Sequence, residues 1–206
     1  MRVAVVGATG NVGRVMLDVL AERSFPADEL VLFASARSAG KQVDGLPVHV
    51  LDDAADLDGI DIALFSAGGG TSKEWAPRFV EHGAVVIDNS SAWRRDPEVP
   101  LVVSDVNPHA LARHNGLIAN PNCSTMQLMV ALAPVHRAAG IERLIVATYQ
   151  SVSGTGKKAL DELDAQSRAA LDGGDMPDPE VYPDHIAFNV IGAAGNFVDG
   201  DDHTDE

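Results

Sequence analysis

Val3-Ala4-Val5-Val6-Gly7-Ala8-Thr9-Gly10-Asn11-Val12-Gly13 is the stretch whose reading decides the fold. Four apolar residues in a row make a short strand buried on both faces. The glycines that follow make a tight turn, and the pattern from about Asn11 to Glu22 is helical. Gly7, Gly10 and Gly13 are spaced Gly-x-x-Gly-x-x-Gly between that strand and that helix. This is a variant of the dinucleotide fingerprint, in which the turn lets a pyrophosphate approach the backbone at the positive end of a helix.

Outward from this unit the alternation continues. Leu30 to Ala34 reads as a strand, as does Ile60 to Phe65; a helix follows around Ser72 to Glu81, and another strand covers Ala84 to Ile87. Strands alternating with helices predict an α/β fold, a Rossmann-type doubly wound parallel sheet. Leu117 to Ala119 is a further short strand, and a helix from Cys123 to about Ala139 contains Pro134, which should kink it. Beyond Ile141 the character changes. Glu142 to Ser151 reads as one long strand, a polar helix covers about Thr155 to Leu171, and Asp172 to Pro183 is a surface loop rich in Gly, Pro and Asp. The expected organisation is a dinucleotide-binding domain over 1–122 and the first part of an α+β catalytic and dimerisation domain over 123–206.

The 206 residues carry a formal net charge of −15, and no stretch gathers Lys and Arg into a basic face, which argues against a nucleic-acid partner. No run approaches a membrane span, and the apolar start ends at Gly7, too soon for a signal-peptide core. One cysteine allows no internal disulfide and fits a reducing compartment, so the expected location is the cytoplasm. Asp201, Asp202 and His203 lie close in sequence, but their spacing reads as a solvated loop, and no metal site is expected.

That single cysteine, Cys123, lies in Ala119-Asn120-Pro121-Asn122-Cys123-Ser124-Thr125 at a strand-to-helix junction. Pro121 forces a turn and Asn122 suits the N-cap. A thiol on the first helical turn faces unpaired backbone N–H groups and the positive end of the dipole, which favour thiolate, the reactive form. The alternative is a small buried hydrophobe. At the end of the second strand, where an NAD-preferring site places a carboxylate, the sequence reads Ala34-Ser35-Ala36-Arg37-Ser38. Arg37 with Ser38 suits a 2′-phosphate, so NADP is the expected cofactor; the alternative for Arg37 is an ordinary surface arginine.

Taken together these stretches resemble the aspartate-semialdehyde dehydrogenase family. The matching runs are VAVVGATGNVG (3–13), LFASARSAGK (32–41), DIALFSAGG (61–69), VVIDNSSAWRRDPEVPLVV (85–103), ANPNCSTMQ (119–127), TYQSVSGTGKKAL (148–160) and IAFNVI (186–191). The resemblance implies an NADP-dependent, phosphorylating oxidoreductase that interconverts 4-phospho-L-aspartate and L-aspartate 4-semialdehyde on the way to lysine, with its diaminopimelate branch, methionine, threonine and isoleucine. It implies that Cys123 is the nucleophile, that Gln150 orients substrate near the thiol, and that Arg94 holds inorganic or acyl phosphate. Thr9, Gly10, Asn11 and Val12 would contact the pyrophosphate, Arg37 and Ser38 the 2′-phosphate, and Ser153 and Gly154 the cofactor near its nicotinamide. A homodimer or dimer of dimers is implied as well. From the residues alone, Arg94 also reads as a surface charge and Gln150 as a polar residue on a half-exposed strand.

The resemblance places the catalytic base, a histidine, together with a carboxylate-binding arginine and a phosphate-binding lysine, in segments beyond residue 206. None of the seven histidines here lies in a matching motif, and His136 is roughly 20 Å of helical rise from Cys123. Thr204-Asp205-Glu206 reads as a helix start with no helix after it, so the chain is expected to be the N-terminal part of such an enzyme. Ser104-Asp105 and Gly192-Ala193 replace the family's usual Pro-Glu and Pro-Gln. Two other readings stand beside this one: N-acetyl-gamma-glutamyl-phosphate reductase, disfavoured by the DNSSAWR run, and a non-catalytic NADP-binding fragment.

Overall fold

The computed structural model describes residues 1–192. Its strands are β1 (Arg2–Val6), β2 (Glu29–Ala34), β3 (Gln42–Val43), β4 (Leu46–Val50), β5 (Ile62–Phe65), β6 (Val85–Asp88) and β7 (Leu117–Ala119). Its helices are α1 (Asn11–Glu22), α2 (Gly69–Glu81), α3 (Cys123–Ala139) and α4 (Lys157–Leu171). All seven strands form one sheet in the order β3-β4-β2-β1-β5-β6-β7. Only the β3–β4 pair is antiparallel. The chain crosses from β2 and β4 on one side of β1 to β5 on the other. The winding reverses at β1, and in open α/β sheets ligands bind beyond the C-terminal ends of the strands at such a switch point.

The continuous apolar strands are explained by burial on both faces. Ala4, Val6, Val31, Phe33, Ala63, Phe65 and Val86 point to one side, where Trp75, Ala76 and Phe79 of α2 cover them. Val5, Leu32, Ala34 and Val48 point to the other, beneath Leu17 of α1. Phe79 is fully buried and meets Phe33 and Phe65 edge-on, with ring centroids 5.7 and 5.1 Å apart. The helices thus take up the two sets of alternating residues, as a doubly wound α/β sheet requires.

The β3–β4 hairpin lies in a region for which the reading above offered no element. Its two-residue turn is Asp44-Gly45, with φ of 51° and 79°, the left-handed conformations that an Asp-Gly hairpin turn adopts. The dipeptide was the available signal, but Gln42–Val43 is too short to show a period.

Glu142 to Ser151 corrects the sequence reading, because none of these residues is in a strand. Ile145 and Tyr149 are 80% and 87% exposed. A strand exists only through the neighbour that bonds to it, and among the described residues no strand runs beside this segment. α3 likewise has no buried residue, although it spans the predicted Cys123–Ala139 and continues through Pro134. By internal contacts the chain divides into Met1–Ala147, which takes in α3, and a second unit that begins at Thr148. Asp201, Asp202, His203, Ala193 and the helix start at Thr204 lie outside the described residues.

Candidate active site

The first constellation stands at the C-terminal ends of β1 and β2. Gly7 and Ala8 both donate backbone N–H bonds to Phe33 O, at 2.8 and 3.2 Å, so the loop is tied to the neighbouring strand. Gly7 has φ +90°, and a Cβ there would lie 2.3 Å from Ser66 O. A Cβ on Gly13 would lie 2.3 Å from Gly7 O and 2.8 Å from Ala8 Cα, so only glycine lets α1 sit this close to the loop. Gly10 is the N-cap of α1 and offers no side-chain cap, and the first turn has no acidic residue. The amide groups at this helix start are arranged to meet an anion, with Gly10, Asn11 and Val12 exposed around them.

Ser38 is buried at the end of a short 3-10 turn, Ala36–Ser38, and its Oγ lies 3.2 Å from Thr9 Oγ1. Two residues 29 positions apart in sequence are therefore brought together at one rim. Arg37, on the same turn, is exposed. No carboxylate occurs from Ala34 to Ser38 to repel a phosphate on the ribose. These residues fit a dinucleotide.

The second constellation lies past β6 and β7. Asp88 closes β6, is fully buried, and its Oδ2 accepts 2.6 Å from Ser90 Oγ. Ser90 Oγ in turn accepts from Ala92 N at 3.2 Å, and Trp93 Nε1 donates to Ser72 Oγ on α2 at 2.8 Å. The loop so shaped turns Arg94 back toward the sheet. Its Nε donates to Asn120 O at 2.9 Å and its Nη2 to Asn89 O at 3.2 Å. Arg94 is thus half-buried and tied to two backbone carbonyls. Asp88, Ser90 and Trp93 went unassigned in the sequence, although the Asp-x-Ser spacing of a side-chain turn was a usable sign.

Asn122 caps α3 as expected, its Oδ1 accepting from Ser124 N at 2.9 Å and Ser124 Oγ at 2.6 Å. Cys123 Sγ lies 3.7 Å from the same oxygen. Cys123 is exposed among the described residues, rather than packed as a small buried hydrophobe. A thiol here is open to a substrate and sits beside the first-turn amides of α3.

In the second unit Gln150 is exposed and belongs to no strand, so the expected strand end is not what holds it. Its side chain lies against Gly154, where a Cβ would approach Nε2 to 2.3 Å. Ser153 Oγ is 2.6 Å from Ser151 Oγ. A short 3-10 turn over Val152–Gly154 brings Gln150 and Gly154 together, and α4 follows it.

A doubly wound, mostly parallel sheet with a glycine turn at its switch point is the architecture of a dinucleotide-binding domain. Comparison with known proteins narrows the class. The semialdehyde dehydrogenase NAD-binding domain matches residues 2–114, and the semialdehyde dehydrogenase dimerisation domain matches residues 132–206. The chain belongs to the semialdehyde dehydrogenase family. It is 56% identical to the aspartate-semialdehyde dehydrogenase of Aquifex aeolicus over 92% of this chain and 58% of that protein. It is also 56% identical to that of Streptomyces akiyoshiensis, over 100% of this chain and 64% of the relative. A crystal structure of aspartate semialdehyde dehydrogenase II from Vibrio cholerae, complexed with ASA, superposes with a TM-score of 0.90 at 50% identity. That match covers 96% of this chain and 60% of the other. The chain therefore spans about three-fifths of the length of the relatives it matches. Among the described residues, no helix is long and apolar enough to cross a membrane.

Proposed function

We propose that this chain carries the cofactor site and the nucleophile of an NADP-dependent, phosphorylating aspartate-semialdehyde dehydrogenase. The observation that carries the reading is the exposed Cys123 on the first turn of α3, capped by Asn122, at the same sheet end as the glycine loop. The Cys123 thiolate adds to the aldehyde carbon of L-aspartate 4-semialdehyde, forming a C–S bond and a hemithioacetal. NADP, when bound, supplies the hydride acceptor. Loss of hydride and of the hydroxyl proton leaves a thioester on Cys123. Inorganic phosphate attacks the thioester, the C–S bond breaks, and 4-phospho-L-aspartate leaves as the thiolate is restored. Biosynthesis of lysine through diaminopimelate, and of methionine, threonine and isoleucine, uses the reverse direction.

In this reading Thr9, Gly10, Asn11 and Val12 bind the pyrophosphate in the turn framed by Gly7 and Gly13. Arg37 and Ser38 receive the 2′-phosphate, and Ser153 and Gly154 border the nicotinamide end. Gln150 orients the substrate, and the outer N–H groups of Arg94 hold phosphate. The match to a dimerisation domain supports a homodimer or a dimer of dimers, and the lone cysteine supports the cytoplasm. Domains over 1–122 and 123–206 follow the same division of labour, binding and then chemistry.

The test is NADPH formation from L-aspartate 4-semialdehyde, NADP⁺ and phosphate, run beside Cys123→Ala and Arg37→Ala. The expected result is cofactor binding that prefers NADP⁺ over NAD⁺, with that preference falling in Arg37→Ala, and no turnover in Cys123→Ala. Turnover that survives Cys123→Ala removes the thioester mechanism. NADP binding without turnover marks these 206 residues as a cofactor-binding part whose base comes from elsewhere.

A further inference from the structure

We infer that Arg94 is a positioning residue that clamps the backbone leading into Cys123, in addition to any contact it makes with phosphate. The inference rests on the reading of Cys123 as the nucleophile. Strands β6 and β7 pair in parallel from Val86↔Leu117 to Asp88↔Ala119, with Val86 N bonding to Gly116 O at the start. The last rung is Asn120 N to Asp88 O, at 2.9 Å. Continued at its two-residue step, the ladder would put the Ser90 N–H on Asn120 O. The side-chain turn from Asp88 through Ser90 to Ala92 leads the chain away instead, and that rung does not form.

Arg94 takes the place of that missing rung. Its Nε–H meets Asn120 O at 2.9 Å while its Nη2–H meets Asn89 O at 3.2 Å, so one rigid guanidinium joins the first residue past β6 to the first residue past β7. Asn120 is then held at both backbone groups. Only buried Pro121, with its restricted φ, and the capping Asn122 separate it from Cys123. The direction of the first turn of α3 is thereby referred to the sheet through Arg94. Two of the five N–H groups serve the clamp, and the fork geometry is what allows both carbonyls to be reached at once.

A lysine keeps the charge but is a point donor that cannot span two carbonyls, so charge and geometry are separable. Arg94→Lys and Arg94→Ala are compared with the wild-type chain in phosphate-free buffer, by amide hydrogen exchange and by the rate of Cys123 alkylation with the neutral reagent iodoacetamide. In both variants the amides of Asn120, Asn122, Cys123 and Ser124 should exchange about 10-fold faster, while those of Val3 to Val6 change less than about 2-fold. The alkylation rate should change about 3-fold as the backbone that places the thiol loosens. Wild-type exchange in Arg94→Lys would show that charge alone suffices and overturn the clamp. Unchanged exchange in both variants, an unchanged alkylation rate, or equal acceleration in Val3 to Val6 would overturn it too. None of these readouts needs turnover, so they stand apart from the Cys123→Ala assay of the activity itself.

Discussion

Replacing Gly13 by Ala sets two known effects against each other at one atom. In a helix, Ala is favoured over Gly by about 1 kcal/mol, so on propensity alone the substitution stabilises α1. The structure reverses the sign. The new Cβ would lie 2.3 Å from Gly7 O, 2.8 Å from Ala8 Cα and 2.9 Å from Gly7 C, all of them backbone atoms of the loop that leaves β1. Relief to an ordinary contact near 3.4 Å needs a movement of about 1 Å between α1 and that loop. The loop cannot give way easily, because Gly7 and Ala8 are tied to Phe33 O and Gly7 already packs on Ser66 O. Overpacking of this kind costs about 1–3 kcal/mol, and with rigid backbone on both sides the upper end applies. A net loss of about 2 kcal/mol, or a fall in Tm on the order of 4–8 °C, is expected. Movement of the helix start should also weaken NADP binding at least about 10-fold. Gly70→Ala, in the first turn of α2 where an added Cβ meets nothing within 4 Å, is the control and should stabilise by about 0.5–1 kcal/mol. Thermal melts and isothermal titration with NADP⁺ measure both quantities. A Gly13→Ala protein with wild-type Tm and cofactor affinity would refute the claim that the close approach of α1 builds the binding turn.

Phe79→Ala removes a fully buried ring that meets Phe33 and Phe65 edge-on, and urea denaturation should show a loss of about 3–5 kcal/mol. On α4, Arg168 Nε donates to Asp164 Oδ2 at 2.8 Å and holds that carboxyl below its ordinary value of 3.8. Because the folded-state value is the lower one, the pair's contribution is present above about pH 3.8 and is lost as pH falls through the folded value. Arg168→Met should return Asp164 to the ordinary range in an NMR titration; an unmoved carboxyl would show that the pair does not form in solution.

The legible parts of this chain were those governed by short-range rules. The turn from Gly7 to Gly13 and helix α1 follow from apolar runs and glycine chemistry within a dozen residues. Asn122 at the start of α3 is a local cap, and it bonds as a cap. The failure at Glu142 to Ser151 has the complementary cause. Its apolar, β-branched composition fits a strand, but strand structure depends on a bonded neighbour that no single segment encodes, and the segment lies exposed instead. Gln150 was therefore placed at a strand end, whereas a 3-10 turn sets its side chain on Gly154.

Residue types and spacings on their own established a doubly wound α/β unit, a glycine turn after its first strand and a cysteine at a helix start. They did so because turns, caps and hydrophobic periods depend on neighbours along the chain. Contacts across the sheet belong to the assembled fold. Ser38 meets Thr9 only because β2 lies beside β1, and Arg94 reaches Asn89 and Asn120 together only because β6 and β7 end side by side. Strand order brings such residues within hydrogen-bond range, and it arises from burying two apolar faces at once, which no local stretch can accomplish.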